Sequence, residues 1–399
     1  MVRRIVVIGN GFDLAHNLPT RYSDFLNFIE LLPKLKEIHL KHENKRKVCN
    51  QKIVDVPPKI ECDYDTAEQL YTYISNAIEN GSNLDKLFEF LFGTSILQNS
   101  FIKVFIAAFK YKQKCNGWID LESEIESYID LINMISKREY GSKKLSCSMP
   151  WLYHGASKYA EFKNNWLLFE TYKDSTTKDT TRLWSELKKE LDEVKQFLAV
   201  YLYIVTFAKK EEMKNDKLDV ISSIFDASYD AEVKINVLNF NYTSTCQKYY
   251  NITSKQIQYI HGKISDDIFS TDNDNIVLGM PDSDDKELTT VFFKKYFQRI
   301  QYKTGRDYKK WFYKNGEIGN KVFAVFYGHS MDKNDGDLIK YIIQNEETKR
   351  TVIYYLDQND YEKKVINLIE ILGKRDFENK YYDGKIIFYK TDEKYVLAE

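Results

Sequence analysis

Residues 4–13 read Arg-Ile-Val-Val-Ile-Gly-Asn-Gly-Phe-Asp, and the fold is decided there. Ile5, Val6, Val7 and Ile8 are consecutive β-branched residues, the pattern of a strand buried on both faces of a parallel sheet. Gly9-Asn10-Gly11 ends that strand, and Phe12 to His16 forms the first turn of a helix. Glycines at such a junction let the backbone approach a ligand, and a helix N-terminus offers N–H groups to a phosphate. The loop lacks the third glycine of a dinucleotide fingerprint and has no G-K-[ST] of a P-loop. A tight turn with Asp13 capping the helix is the competing reading.

Further along, Ser23 or Asp24 can cap a helix that carries Phe25, Phe28, Ile29 and Leu32 on one face. Residues 40–65 are polar and basic and are expected as an exposed loop. From about 66 to 230, apolar residues recur at three- and four-residue spacing and predict helices, with a looser stretch at 138–182. From 233 the pattern turns strand-like in VKINVLNFNYT, IQYIHG, NIVLGM, KVFAVFYGHS and TVIYYLD. Strand, helical block, then strands predict an α/β fold with a Rossmann-like parallel sheet and a large helical insertion. Residues 1–60 and 231–399 are expected to form a nucleotide-binding domain, and 61–230 the insertion.

Composition excludes several classes. Lys plus Arg (58) nearly cancels Asp plus Glu (59), so no whole-protein field draws the chain to nucleic acid or anionic membrane. The five cysteines are scattered and form no C-x-x-C pair, which argues against a zinc site or disulfide framework; no metal is expected. The opening apolar run is too short for a signal peptide, and no window has the roughly 18 apolar residues of a membrane span. The sequence predicts a cytoplasmic protein without a membrane partner. Thirty tyrosines and 24 phenylalanines against six prolines predict a core filled by aromatic rings rather than long linkers.

Five places can carry chemistry. The first is the loop Gly9, Asn10, Gly11, Phe12 with Asp13. The second is Asn241 within Asn239-Phe240-Asn241-Tyr242-Thr243, where an amide can hold a ribose hydroxyl or a water, or close an Asx-type turn. Third is His261, followed by Gly262 past a strand-like run and suited to general base catalysis. The fourth is Gly328-His329-Ser330, a second glycine turn whose amides and hydroxyl suit a phosphate or ribose. Last comes Asp357, a carboxylate for a ribose diol or a helix N-cap. In open α/β sheets, strand carboxyl ends line one crevice, which would collect all five.

The segments IGNGFDLAHNLPTRYSDF, WIDLE, LNFNYT, IHG and YGHSMDKNDGDLI resemble the AbiH family of bacterial phage abortive-infection proteins. That family is in turn remotely similar to sirtuins and sirtuin-like NAD hydrolases. Gly9, Gly11 and Pro19 match the sirtuin glycine loop, His261-Gly262 matches its His-Gly, and Asn241 the asparagine of its Asn-Ile-Asp element. Asp13, Thr20 and Tyr22 depart from the sirtuin pattern, and the zinc ribbon of a protein deacetylase is missing.

The resemblance implies an NAD pocket and NAD cleavage to nicotinamide and ADP-ribose. Asn241 would orient ribose or water, and His261 would take the proton. Backbone amides at Gly9–Gly11 and Gly328–Ser330 would hold the pyrophosphate, and Asp357 the adenine ribose. Asp13 would stabilise the oxocarbenium-like state or grip a hydroxyl, and Glu122 of WIDLE could serve as a second acid or as an exposed helix carboxylate. The implied partners are a nucleotide and, for an abortive-infection role, a second copy, a defence protein or a phage trigger. A nucleotide sensor without turnover and a toxin acting on RNA or DNA are the alternatives.

Overall fold

The computed structural model describes residues 2–49, 67–77, 81–114, 119–136, 180–207, 216–226, 233–265, 267, 275–281, 288–312 and 321–394. The chain begins with β1 (Val2–Ile8) and α1 (Asn10–Ala15), then α2 (Tyr22–Cys49), α3 (Ala67–Ala77), α4 (Gly81–Gly93), α5 (Ser100–Lys114), α6 (Leu121–Ser136) and α7 (Thr180–Phe207). It continues through α8 (Asp216–Phe225), β2 (Lys234–Asn239), α9 (Thr245–Tyr250), β3 (Ile257–Tyr259), α10 (Lys295–Tyr302) and β4 (Lys321–Tyr327). The last elements are α11 (Gly336–Gln344), β5 (Thr348–Tyr355), α12 (Gln358–Leu372), α13 (Lys374–Tyr382) and β6 (Ile386–Lys390).

These elements form two compact units. One comprises Met1–Thr20, Lys209–Val277 and Gln298–Glu399 and holds the sheet; the other comprises Arg21–Ala208 and Leu278–Phe297 and is helical. The units divide at 20/21, 208/209, 277/278 and 297/298.

The sheet has six strands in the order β3-β2-β1-β4-β5-β6, all parallel. Its first strand is therefore central, as the unbroken β-branched run requires. Side chains alternate across it. Ile5 and Val7 join Leu238, Phe326 and Ile353 on one face, covered by Ile339 of α11 and Leu368 of α12. Val6 and Ile8 join Val237, Val325 and Val352 on the other, covered by Ile221 and Ile224 of α8. On that second face Arg4 is buried and donates to the carbonyls of Ile224 and Asp226, at the carboxyl end of α8 where a cation is favoured.

Two sequence expectations are corrected. NIVLGM, expected as a strand, pairs with no strand of the sheet. Its Ile276, Val277 and Leu278 are fully buried, and Val277 donates to the His261 carbonyl, so burial rather than a ladder explains its apolar run. Residues 40–49, expected as loop, continue α2, because Glu, Lys and Arg favour helix and nothing breaks it there; residues 50–65 of that expected loop lie outside the described residues. β6, which the pattern missed, is a short edge strand.

In the helical unit Phe25, Phe28, Ile29 and Leu32 are buried on one face of α2. Phe25 and Phe28 pack on Tyr201 of α7. Asp24 does not cap from the first position; its carboxylate accepts the Arg21 amide at 2.9 Å, the return arm of a capping box. Among the described residues no single helix is long and apolar enough to cross a membrane.

Candidate functional site

The two glycine turns meet each other. Gly9 N donates to Tyr327 O (3.2 Å), Gly11 N to Gly328 O (2.8 Å) and Phe12 N to Gly9 O (2.8 Å). A Cβ on Gly11 would lie 2.7 Å from Gly328 Cα, and one on Gly328 would lie 2.2 Å from Phe12 N. Gly328 also holds φ +66°. The glycines are there because backbone touches backbone at the carboxyl ends of β1 and β4. Two of the amides expected to cradle a phosphate, those of Gly9 and Gly11, donate within this contact. Asn10 faces the same turn and accepts the Thr20 hydroxyl at 2.6 Å.

The Asn239–Thr243 segment is tied to the β1–α1 junction through Phe240, Asn241 and Thr243. Asn239 Oδ1 accepts the Asn241 amide (2.8 Å), and its Nδ2 donates to Thr243 O (3.1 Å), which closes the loop on itself. Asn241 Nδ2 donates to Gly9 O at 3.0 Å, across 232 residues of sequence. Tyr242 donates its hydroxyl proton to Val277 O (2.9 Å). The Thr243 hydroxyl donates to Asp13 Oδ2 at 2.6 Å. Asn241 thus holds the glycine turn through its amide nitrogen, while its Oδ1 has no internal donor among the described residues.

Asp13 is the odd member. It is 1% exposed, and its Oδ1 is buried without a hydrogen-bond partner. Burial raises its pKa to about 6, against the hydroxyls of Thr243 and Thr245 that pull it down. Cys246 lies buried beside it; desolvation, then the nearby carboxylate, raise that thiol well above its ordinary range. Such a thiol is inert.

On the opposite side of Phe240 two histidines share one acid. His261, just past β3, places Nε2 at 3.0 Å from Asp335 Oδ1, and His329 Nε2 lies 3.9 Å from Asp335 Oδ2. Both rings stand edge to face on Phe240, at 5.3 and 4.5 Å. His329 Nδ1 accepts the Met331 amide at 3.0 Å, so in the neutral ring the proton sits on Nε2, toward Asp335. Met331 takes φ +58° to make that bond. Asp335 immediately precedes α11. Sequence reasoning missed it: it lies inside YGHSMDKNDGDLI, but 74 residues from His261, and no spacing rule connects them.

The remaining candidates fall elsewhere. Asp357 caps α12, its Oδ1 accepting the Asp360 amide at 2.9 Å, and is exposed. Ser330 is exposed, and its hydroxyl accepts the Asp332 amide at 3.3 Å. Glu122 is neither an exposed carboxylate nor free: within the helical unit it is buried and pairs with the fully buried Lys295 at 2.6 Å. Among the described residues no group of three or more His, Cys, Asp or Glu is arranged to hold a metal.

Asn241, Gly9 and Asp13 thus form one bonded cluster, and His261, His329 and Asp335 a second. Both lie at the carboxyl edge of the sheet, separated by Phe240. The second cluster can orient a histidine and shuttle a proton. The first presents an amide carbonyl and, deeper, a carboxyl group poised near neutrality.

Searches of curated proteins and of solved structures return no match to this chain. The sequence profile of the family described as bacteriophage abortive infection AbiH matches residues 5–357, a span that contains both clusters. Over nearly nine-tenths of its length, then, this chain belongs to the AbiH family of bacteriophage abortive-infection proteins.

Proposed function

We propose that the sheet unit binds NAD and hydrolyses it to nicotinamide and ADP-ribose, so that an infected cell is drained of NAD. The observation that carries the reading is the His261–Asp335 pair at the carboxyl edge of the sheet. The strand order reverses between β1 and β4, as in doubly wound dinucleotide-binding folds, and ligands of such sheets lie outside the carboxyl ends at that reversal. In the reaction the bond between ribose C1′ and nicotinamide breaks. Nicotinamide leaves as a neutral base with the electron pair, water adds to C1′, and one proton is released. His261, oriented by Asp335 through Nε2, would receive that proton. Asn241 Oδ1 would orient the ribose or the water, and Asp13, through Thr243, would keep that loop in place.

The glycine turns act as spacers in this reading: they bring the ends of β1 and β4 close. Binding of NAD without turnover is the second reading. The 5% exposure of His261 favours it, because a base must reach its substrate. Nicotinamide release from NAD by purified protein, beside His261→Ala and Asp335→Asn, separates the two. Release that falls at least 100-fold in His261→Ala supports the hydrolase. Thermal protection by NAD without release supports the sensor, and neither release nor protection ends the NAD reading.

A further inference from the structure

At the far edge of the sheet β6, α12 and α13 enclose a cleft of about 450 Å³, within the size range of small-molecule sites. Its walls are unusually aromatic. Tyr355 ends β5, Tyr361 lies in the second turn of α12, Tyr381 near the end of α13, and Phe388 on β6. Tyr361 packs edge to face on both Tyr355 (5.1 Å) and Phe388 (4.9 Å). Gln358 stands at the rim with its Nε2 given to Glu362 at 2.9 Å, which leaves Oε1 as an acceptor.

No lysine, arginine, aspartate or glutamate is among the lining residues. Charges beside it among the described residues are already engaged, Glu362 with Gln358 and Lys390 with Asp392, and are not given to a phosphate or a carboxylate. What it offers is flat π surface, phenolic hydroxyls and one amide carbonyl. Those groups suit a flat, neutral heteroaromatic ring with donors and acceptors on its edge, since aromatic side chains stack on any base.

We propose that this cleft is a second ligand site, selective for a neutral nucleobase or its nucleoside. It is separate from the histidine cluster. The two share no residue. The inference therefore stands whether or not the protein cleaves NAD.

Equilibrium dialysis of the full chain against adenosine, guanosine, cytidine and uridine tests it. At least one nucleoside should bind saturably below millimolar concentration. Tyr381→Ala removes an exposed wall residue and should weaken binding at least tenfold; Gln358→Trp, at the exposed rim, should block it. Unchanged circular dichroism and melting temperature would show that both variants fold, and His261→Gln should bind as the wild type does. Absence of binding by all four nucleosides at millimolar concentration overturns the proposal. So does binding that survives both cleft substitutions, or binding that NAD displaces and His261→Gln abolishes.

Discussion

The helical unit and the carboxyl edge of the sheet treat buried charge in opposite ways. In the helical unit the buried ions are matched: Glu122 with Lys295 at 2.6 Å, Glu124 with Lys112 at 2.6 Å, and Lys195 with Asp192 at 3.2 Å. At the sheet edge Asp13 lies buried with one oxygen unpartnered, and two buried histidines divide a single aspartate. An unmatched buried carboxyl costs stability, and a protein keeps such a group mainly where function uses it. The difference teaches where to look: WIDLE, with its two acids, is built as scaffold, while the plainer NFNYT and GHS segments build the candidate site.

The sharpest break of that comparison is at Gly328. Its Cβ would fall 2.2 Å from Phe12 N at a positive φ, so Gly328→Ala should cost about 4 kcal/mol or more and leave little folded protein. Gly373→Ala is the control: φ is +84° there but no atom lies within 4 Å, and the loss should be about 1 kcal/mol. Equal melting temperatures for the two variants would refute the tight contact between the turns.

Next in size is the buried ion pair. Glu122→Gln alone removes the carboxylate paired with the fully buried Lys295 ammonium and should destabilise by about 3–5 kcal/mol in urea unfolding. The double change Glu122→Leu with Lys295→Met should recover most of that loss. If the double variant is as unstable as the single one, the pair does more than neutralise itself.

Asp13 should behave in the reverse sense. Its folded pKa of about 6 exceeds the ordinary 3.8, so between about pH 4 and 6 the native state binds more protons than the unfolded chain. This group's contribution is therefore favourable at pH 4 and is lost as pH rises through 6, a difference of about 3 kcal/mol. Asp13→Asn should flatten that dependence and stabilise the protein at pH 7.5, while weakening NAD protection if the carboxyl serves the site. A variant as pH-sensitive as the wild type between 4 and 6 would show that Asp13 is ordinary.

The smallest effect is expected at Asp357. Removal of its cap in Asp357→Ala should cost about 1 kcal/mol and leave any NAD binding unchanged. Weaker NAD binding at constant stability would return Asp357 to the ribose.

Much of the site was legible because its residues sit where strands end. The runs ending at Ile8, Asn239 and Tyr327 announce themselves by local composition, and the residues beyond a parallel strand must lie at one edge of the sheet. Legibility failed wherever a role depended on a partner remote in sequence. The same glycines suit a phosphate cradle or a backbone contact, and no local signal foretells the approach of Gly328 to Gly11. Asp357 has the composition of either a cap or a ribose ligand. Nothing near Glu122 reveals that Lys295 will pair with it.

The sequence by itself determined a first strand buried on both faces, the interruption of the sheet by helices, and the identity of the polar residues that cluster at its edge. Those follow from period-two and period-3.6 hydrophobicity and from glycine, which are properties of neighbouring residues. Tertiary structure alone decided that β1 lies between β2 and β4, that Asp335 serves His261, and that Thr243 meets Asp13 across 230 residues. Such pairings arise when the chain closes loops of that length to bury its faces. The free energy that selects them is shared over the whole core, so no local stretch of residues encodes it.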